Sequence, residues 1–239
     1  GETFEGQIVI NFEVAEEDFG PEDLFIDYHG LGIKDLKING TDVDPSKAFT
    51  GQRIYLDRTL LKLGEANKVS LTFKSKYRKD GTACHHFKDT ADDNEYLYTQ
   101  FEAFNCHRVF PCFDQPDIKA NMKLRAFSPA NWQVISNTFE NDVTNSFDVY
   151  EKFLVQIVCP NDITDRFTEA DNMIFRQYEQ TAKISTYLFA FVVGPYAYVT
   201  NNEVGSENYV PMRVMARKSL MKYVKVKDIF RITMAGMDY

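Results

Sequence analysis

Apolar and polar residues alternate along much of this chain, which is the pattern of β-strands that bury one face. Residues 8–14 carry apolar side chains at every second position, with Val9 as an extra apolar residue, and residues 69–73 repeat the pattern. Further candidate strands lie at residues 96–101, 122–127, 132–135, 153–158, 174–178, 188–193 and 210–215. Short strands at this spacing predict a mainly β domain, built as a sandwich or as an extended open antiparallel β-sheet.

A hairpin is predicted early in the chain. Leu36 and Ile38 precede the pair Asn39-Gly40, and Val43 follows it. Asn-Gly is the preferred two-residue turn between antiparallel strands, because both of its residues tolerate positive φ. Asn39 also begins an Asn-Gly-Thr glycosylation sequon, but the strength of the turn signal favours the hairpin.

The pattern changes to a helical period at the end of the chain. Ser219 is a candidate N-cap for a helix that runs from residue 220 toward residue 238. Its apolar residues recur at helical spacing: Leu220, Tyr223, Val224, Phe230, Met234 and Met237. We therefore divide the chain into a β domain at 1–217 and a helical segment at 218–239. This helix either leads into a further domain or folds back on the sheet.

Composition narrows the possible functions. Aromatic residues make up 14% of the 239 residues, which favours strands, and the net charge is −8 at pH 7. An acidic chain does not suit nucleic acid, whose phosphates need basic surfaces. No apolar run approaches the about 18 residues of a membrane span, so no membrane contact is expected. The four cysteines form no Cys-x-x-Cys pair, and reduced thiols of this kind predict a cytoplasmic protein.

The densest chemistry lies at residues 98–117, which read YTQFEAFNCHRVFPCFDQPD. A zinc site is conceivable if ligands converge in space from Cys84, His85, His86, Cys106, His107 and Cys112. Their spacing matches no common zinc module, and the chain has no HExxH motif. Cys106 beside His107 is a candidate thiol nucleophile only if both lie on a loop, because strand neighbours face opposite sides. Buried, inert thiols are the simpler interpretation.

Two polar residues in this stretch suggest a binding surface. If residues 98–102 form a strand, Gln100 and Glu102 share one face and Phe101 points to the other. Such a face is either simply solvated or the rim of a substrate site that presents an amide and a carboxylate side by side. Further along, Asp114 or Asp117 is expected to cap the short turn that follows.

Four segments resemble the aminopeptidase N-type zinc peptidases, the gluzincin aminopeptidases. Residues 99–120 read TQFEAFNCHRVFPCFDQPDIKA, which is similar to the family's TQFEP.DARR.FPCFDEP..KA, and the NCHRVFPC part also resembles the leukotriene-hydrolase branch. Residues 184–196 read ISTYLFAFVVGPY, like STYLLAFVVGDF. Residues 134–137, VISN, resemble ALSN, and residues 210–217, VPMRVMAR, resemble VPVRVYAR. The order and spacing agree, so the resemblance covers nearly the whole chain.

The resemblance implies a saddle-shaped, antiparallel β domain at the amino-terminal end of a zinc aminopeptidase, with its first strand clipped. Glu102 falls where the family holds the free α-amino group of a peptide substrate. Gln100 falls where the family lines the pocket for the first side chain. The expected partners are peptides with a free N-terminus and the chain's own catalytic domain.

The family's catalytic motifs, GxMEN and HExxH with a distant glutamate, do not occur in this sequence. The resemblance therefore implies that zinc is bound by a catalytic domain beyond Tyr239, and that this chain alone has no catalytic residue, no metal site and no activity. Two alternatives remain: a non-catalytic scaffold of the same family, or a leukotriene-hydrolase-type bifunctional enzyme. In the latter branch the position of Glu102 is an amide, so Glu102 favours the aminopeptidase.

Overall fold

The computed structural model describes residues 2–15, 20, 23–144, 173–201 and 211–237. The strand predicted at 153–158 and the first residue of the one at 210–215 lie outside these residues. The strands before Asp114 are β1 (Thr3–Glu13), β2 (Phe25–Asp27), β3 (Gly32–Ile38), β4 (Thr41–Asp42), β5 (Arg53–Tyr55), β6 (Ala66–Lys76), β7 (Ala83–Lys88) and β8 (Glu95–Gln100). Those after it are β9 (Arg125–Pro129), β10 (Gln133–Ser136), β11 (Glu140–Thr144), β12 (Met173–Tyr178), β13 (Phe191–Gly194), β14 (Ala197–Thr200) and β15 (Arg213–Ala216).

These strands confirm a mainly β, antiparallel fold. β1 pairs with β6 in a sheet of order β1-β6-β3-β4, and β2 pairs with β5. A second four-stranded sheet has the order β10-β13-β8-β7, and smaller sheets join β11-β12-β9 and β14-β15. Every pair of strands in these five sheets is antiparallel.

The alternating residues of β1 and β6 point where the pattern predicts. Ile8, Ile10 and Phe12 pack against a buried apolar cluster, whereas Val9 is 41% exposed. We call this cluster the first core; it consists of Ile26, Tyr28, Leu36, Ile38, Ala48, Ile54, Leu56, Val69, Leu71 and Phe73. The one-turn helix α1 (Pro45–Ala48) closes one side of it, with Asp44 as its N-cap.

The predicted Asn-Gly hairpin is confirmed. Ile38 pairs with Thr41 across a two-residue turn, and Asn39 and Gly40 have φ values of 52° and 86°. The Asn39 side-chain amide donates hydrogen bonds to the Leu60 carbonyl at 2.8 Å and to Asn67 Oδ1 at 2.9 Å. The Asn39 backbone thus forms the turn, and its half-buried side chain connects the turn to Leu60 and to Asn67 of β6.

A second buried cluster lies beside the sheet that contains β7 and β8. We call it the second core; it consists of Ala83, Cys84, Phe101, Cys106, Val109, Cys112 and Phe189. Phe4 and Phe110 pack against both cores. The buried hydroxyl of Ser75 lies 3.0 Å from Tyr28 Oη of the first core and donates to the Val109 carbonyl of the second at 2.9 Å. The two cores are therefore joined by polar as well as apolar contacts.

The C-terminal helix differs from its prediction. Helix α2 begins at Val226 and ends at Met237, and a short 3-10 turn at Met221–Tyr223 precedes it. Ser219 does not cap the helix, because its hydroxyl donates to Asp89 Oδ2 at 2.6 Å. None of the residues in α2 is buried. Among the helices of the described residues, none has the length and hydropathy of a membrane-spanning segment.

Two other strands are shifted from their predicted positions. The strand predicted at 122–127 is β9, at Arg125–Pro129, because the Met122 amide donates to the Thr181 hydroxyl instead of a neighbouring strand. The strand predicted at 188–193 is β13, at Phe191–Gly194. The first residue of the predicted strand, Leu188, ends a 3-10 turn at Thr186–Leu188. The hydroxyls of Ser185 and Thr186, at the start of this turn, donate to the Pro116 carbonyl and to Asp114 Oδ1.

Candidate functional site

The two predicted binding residues lie at the end of β8. The strand ends at Gln100, so the prediction that a strand continues through Glu102 is wrong by two residues. Phe101 is 2% exposed and packs in the second core. Its two neighbours in the sequence, Gln100 and Glu102, are both exposed. Within the described part of the chain, neither the Gln100 nor the Glu102 side chain has a hydrogen-bond or ion-pair partner, and of Glu102 only the backbone carbonyl accepts a hydrogen bond.

Glu102 begins a tight turn. The Asn105 amide donates to the Phe101 carbonyl at 2.8 Å, and Asn105 Nδ2 donates to the Glu102 carbonyl at 3.2 Å. The peptide bond between Glu102 and Ala103 is cis. The turn connects two buried residues, Phe101 on one side and Cys106 on the other. The Glu102 carboxylate is therefore exposed to solvent on a turn whose two ends are fixed by buried residues.

A buried carboxylate holds the segment that follows the turn. Asp114 is 8% exposed, and its Oδ2 accepts hydrogen bonds from the His107 amide at 3.0 Å and from His107 Nδ1 at 2.7 Å. Its Oδ1 accepts from the Thr186 hydroxyl at 2.9 Å. Burial alone would raise the pKa of Asp114, but the hydrogen bonds from His107 and Thr186 outweigh it, and the pKa is lowered.

Phe104 projects from the tip of the turn. Its side chain is 62% exposed, and its ring lies parallel to the His107 imidazole, with an angle of 10° between the planes and 6.2 Å between the centroids. This offset-parallel arrangement is favourable for aromatic rings. The tip of the Glu102 turn therefore rests on a histidine that the buried Asp114 holds.

The zinc hypothesis is only partly matched by the geometry. Among the described residues, the group of three possible ligands that lie together is Cys106, Cys112 and Asp114, whose ligand atoms are all within 4.8 Å of one another. The histidines of the hypothesis are not part of it: His85 Nδ1 accepts from the Gly81 amide, and His107 Nδ1 bonds to Asp114. Both Asp114 oxygens already accept hydrogen bonds, so this group does not fit a catalytic zinc, which needs three ligands and an open position.

The thiols also lack the character of nucleophiles or metal ligands. Cys84, Cys106 and Cys112 are buried and free of disulfides. Burial raises the pKa of Cys84 to about 12 and also raises the pKa values of Cys106 and Cys112, which lie in contact with each other. Since the thiolate is the reactive form, these cysteines act as small apolar residues of the second core. They match the simpler interpretation of the sequence.

The link between Asp114 and His107 was not found in the sequence. The sequence predicts that Asp114 or Asp117 caps the next turn, but the Asp114 carboxylate bonds to His107, seven residues earlier, and to Thr186. Thr186 is 72 residues away in the chain, so no local spacing signals the contact. The available signal is chemical: a histidine and an aspartate in one aromatic-rich segment.

Comparison with known families identifies the amino-terminal part of the chain. The family model described as the Peptidase M1 N-terminal domain matches residues 1–157. This match includes all strands from β1 to β11, the Glu102 turn and Asp114.

Individual relatives extend the similarity over the whole chain. The chain is 30% identical to an Aminopeptidase N of Streptomyces lividans over 239 residues, which are 100% of this chain and 24% of that protein. It is 25% identical to the Alanine/arginine aminopeptidase of Saccharomyces cerevisiae over 89% of this chain and 22% of the relative. It is 31% identical to a Probable M1 family aminopeptidase 2 of Encephalitozoon cuniculi, over 91% and 22%. The chain thus spans about a quarter of the length of these relatives.

Proposed function

The chain belongs to the M1 peptidase family, and we propose that it is the amino-terminal domain of a zinc aminopeptidase that removes residues from the amino ends of peptides. The names of its relatives support the reaction, since they are aminopeptidases. The part that we assign to this chain is recognition of the substrate's N-terminus. Peptide bond cleavage belongs to the rest of the longer protein.

The exposed carboxylate of Glu102 is the observation that carries the proposal. It has no partner among the described residues, and it lies on a turn anchored by buried Phe101 and Cys106. An aminopeptidase has to distinguish a terminal ammonium from an internal peptide bond, and a carboxylate provides the opposite charge. When such a pair is desolvated in a complex, truncating one partner costs about 2–5 kcal/mol. Gln100, beside it, would contact the first side chain of the peptide.

Holding the ammonium also orients the substrate. A peptide fixed at its amino end presents its first carbonyl at a constant distance, which lowers the entropic part of the barrier. Glu102 therefore contributes binding and orientation, and it does not break a bond.

We place the zinc ion outside this chain. The sequence has no HExxH motif, and the group formed by Cys106, Cys112 and Asp114 consists of protonated thiols and a carboxylate that is already bonded. When zinc is bound in such enzymes, it activates the attacking water. The isolated chain is accordingly proposed to be inactive toward peptides. Metal-dependent peptide turnover by the purified chain would contradict this part of the proposal.

The proposed partner of the domain is its own catalytic domain, and helix α2 supports this. It buries none of its residues, and it exposes Ile229 at 40%, Ile232 at 61% and Met237 at 56%. Exposed apolar side chains on one helix mark a surface that another domain can cover. A cytoplasmic location completes the proposal and is supported by three buried cysteines that form no disulfide.

The test is the substitution Glu102→Ala in the full-length enzyme. We expect kcat/KM for peptide substrates to fall by about 30-fold or more, which corresponds to the lower end of the 2–5 kcal/mol range. Asp117→Ala is the matched control, because Asp117 is an exposed carboxylate of the same segment. Unchanged kinetics in the Glu102 variant would remove the proposed role of this residue.

A further inference from the structure

We propose that His107 is a positioning residue for Glu102: it connects the buried Asp114 to the tip of the Glu102 turn through the ring of Phe104. The inference rests on the proposed function, since it concerns the same recognition of a substrate's amino group. Three links carry it: a fixed carboxylate, a histidine bonded to it, and an aromatic ring that lies on the histidine.

The first link is the rigidity of Asp114. Its carboxylate accepts three hydrogen bonds, and its amide donates to Asp27 Oδ2 at 3.3 Å. Two residues earlier, Cys112 and Asp27 exchange backbone hydrogen bonds of 2.9 and 3.1 Å. Asp114 is thus tied to β2, to its own segment and to Thr186. A buried, fully bonded carboxylate of this kind has little freedom to move.

The second link is His107 itself. Its amide and Nδ1 both donate to Asp114 Oδ2, and its carbonyl accepts from the His29 amide at 2.9 Å. The side chain is 17% exposed. Three hydrogen bonds from two different parts of the chain fix both the backbone and the ring plane of His107. The imidazole can therefore serve as a rigid platform.

The third link is the contact between His107 and Phe104. Phe101 and Cys106 fix the two ends of the turn, but its tip carries exposed residues. Within the described part of the chain, the ring contact of Phe104 is the one with His107. Burial does not hold Phe104, since 62% of it is exposed. The two Asn105 hydrogen bonds close the turn, and the platform of His107 adds the side-chain contact that holds its exposed tip.

This arrangement has a measurable consequence for substrate recognition. Glu102 begins the turn whose tip Phe104 occupies, so a tip that moves freely lets the Glu102 carboxylate move as well. Displacement of a binding group by about 1 Å can reduce an enzyme's efficiency by as much as 100-fold. We expect the loss to appear in recognition of the α-amino group, with other contacts to the substrate maintained.

The experiment measures that recognition directly in the full-length enzyme. Leucine hydroxamate and its desamino analogue, 4-methylpentanoyl hydroxamate, differ only in the α-amino group. The ratio of their inhibition constants reports the amino-group contact, and general damage to the site weakens both inhibitors and leaves the ratio unchanged. Glu102→Ala comes first: it should collapse the ratio, and if it does not, the proposed function of Glu102 fails, independently of His107.

Three variants then test the inference. His107→Ala removes the platform and Phe104→Ala removes the contact with it, and each should lower the ratio by about tenfold. Phe104 is exposed, so its variant is expected to fold even if the histidine variant does not. His107→Arg should retain a ratio within about threefold of the parent enzyme, because arginine can bond a carboxylate and also stack on an aromatic ring.

Each result of these measurements either supports the inference or overturns it. The inference is overturned if Glu102→Ala collapses the ratio and either His107→Ala or Phe104→Ala leaves it intact. It is also overturned if His107→Arg lowers the ratio as much as His107→Ala, because the carboxylate bond and the stacking would then not explain the role of His107.

Discussion

The first and second cores are built in different ways. The first core lies between paired strands and contains mainly aliphatic side chains such as Ile38, Ile54 and Val69. The second core is formed largely by loops and 3-10 turns, contains three thiols, and lies against the buried Asp114. Apolar packing depends on shape and area, whereas a buried carboxylate needs every partner in place. The surface that bears Glu102 rests on the second kind of core.

The largest expected effect on the free energy of unfolding comes from Asp114, the buried carboxylate beside the second core. Asp114→Ala leaves three donors of His107 and Thr186 without their acceptor. Each buried donor left unsatisfied costs about 1–3 kcal/mol, so we expect a loss of roughly 3–5 kcal/mol. Urea denaturation, followed by fluorescence of the single tryptophan, Trp132, measures the loss. Asp117→Ala is the control and should stay within about 0.5 kcal/mol of the parent chain. Equal stabilities of the two variants would show that the second core does not depend on its polar group.

A slightly smaller effect is expected from truncation in the first core. Ile38 is fully buried, and Ile38→Ala should lower the free energy of unfolding by about 2–5 kcal/mol through lost burial and a residual cavity. Ile118→Ala, at a position that is 42% exposed, is the matched control. The loss should be nearly independent of pH, because no ionisable group is involved. A strong pH dependence would contradict the contrast between the two cores.

The pH dependence of the second core gives the third prediction. The pKa of Asp114 is lower in the folded protein than in the unfolded chain, so its contribution to stability is complete above the ordinary pKa of aspartic acid, about 3.9. That contribution is lost as the pH falls through the lowered, folded-state pKa. The difference in unfolding free energy between the parent chain and Asp114→Asn should therefore shrink when urea denaturation is repeated at pH 7, 4 and 3. A difference that is constant or grows toward acid would show that the sign is wrong.

The smallest effect on the free energy of unfolding is expected at the two candidate binding residues. Glu102→Ala and Gln100→Ala remove exposed side chains that have no partner in the described chain, so each should change the unfolding free energy by less than about 0.5 kcal/mol. The same urea titrations measure this. A loss of more than 1.5 kcal/mol, roughly three times that limit, would indicate a structural role and weaken the case for a binding role.

The two cores also differ in how far the sequence predicts them. Alternation at residues 8–14 and 69–73, together with the Asn39-Gly40 turn, is sufficient to predict β1, β6 and the hairpin between β3 and β4. Each of these signals is local, because a strand or a turn shows its period over a few residues.

No local signal of this kind predicts the contacts that hold the segment around the candidate site. Gln100 and Glu102 were selected through a family resemblance, and their common strand face proved to be a strand end followed by a turn. Asp114 bonds to a residue of the same segment and to Thr186, far along the chain. Irregular segments have no period, and a hydrogen bond between distant residues leaves no mark in either local sequence. The resemblance therefore supplied the two candidate residues, and only the structure showed the hydrogen bonds that hold the segment next to them.

The long reach of Asp114 has a consequence for the order of events during synthesis. Its hydrogen bond to Thr186 spans 72 residues, and the bond between Asp89 and Arg217 spans 128. At about 5–20 residues per second, the ribosome needs roughly 4–14 s to make the residues between Asp114 and Thr186. Glu102 is therefore synthesised well before Thr186, one of the residues whose hydrogen bonds fix Asp114. In the growing chain, the surface that would read a peptide's first residue gains the last of these Asp114 hydrogen bonds only after residue 186 has been made.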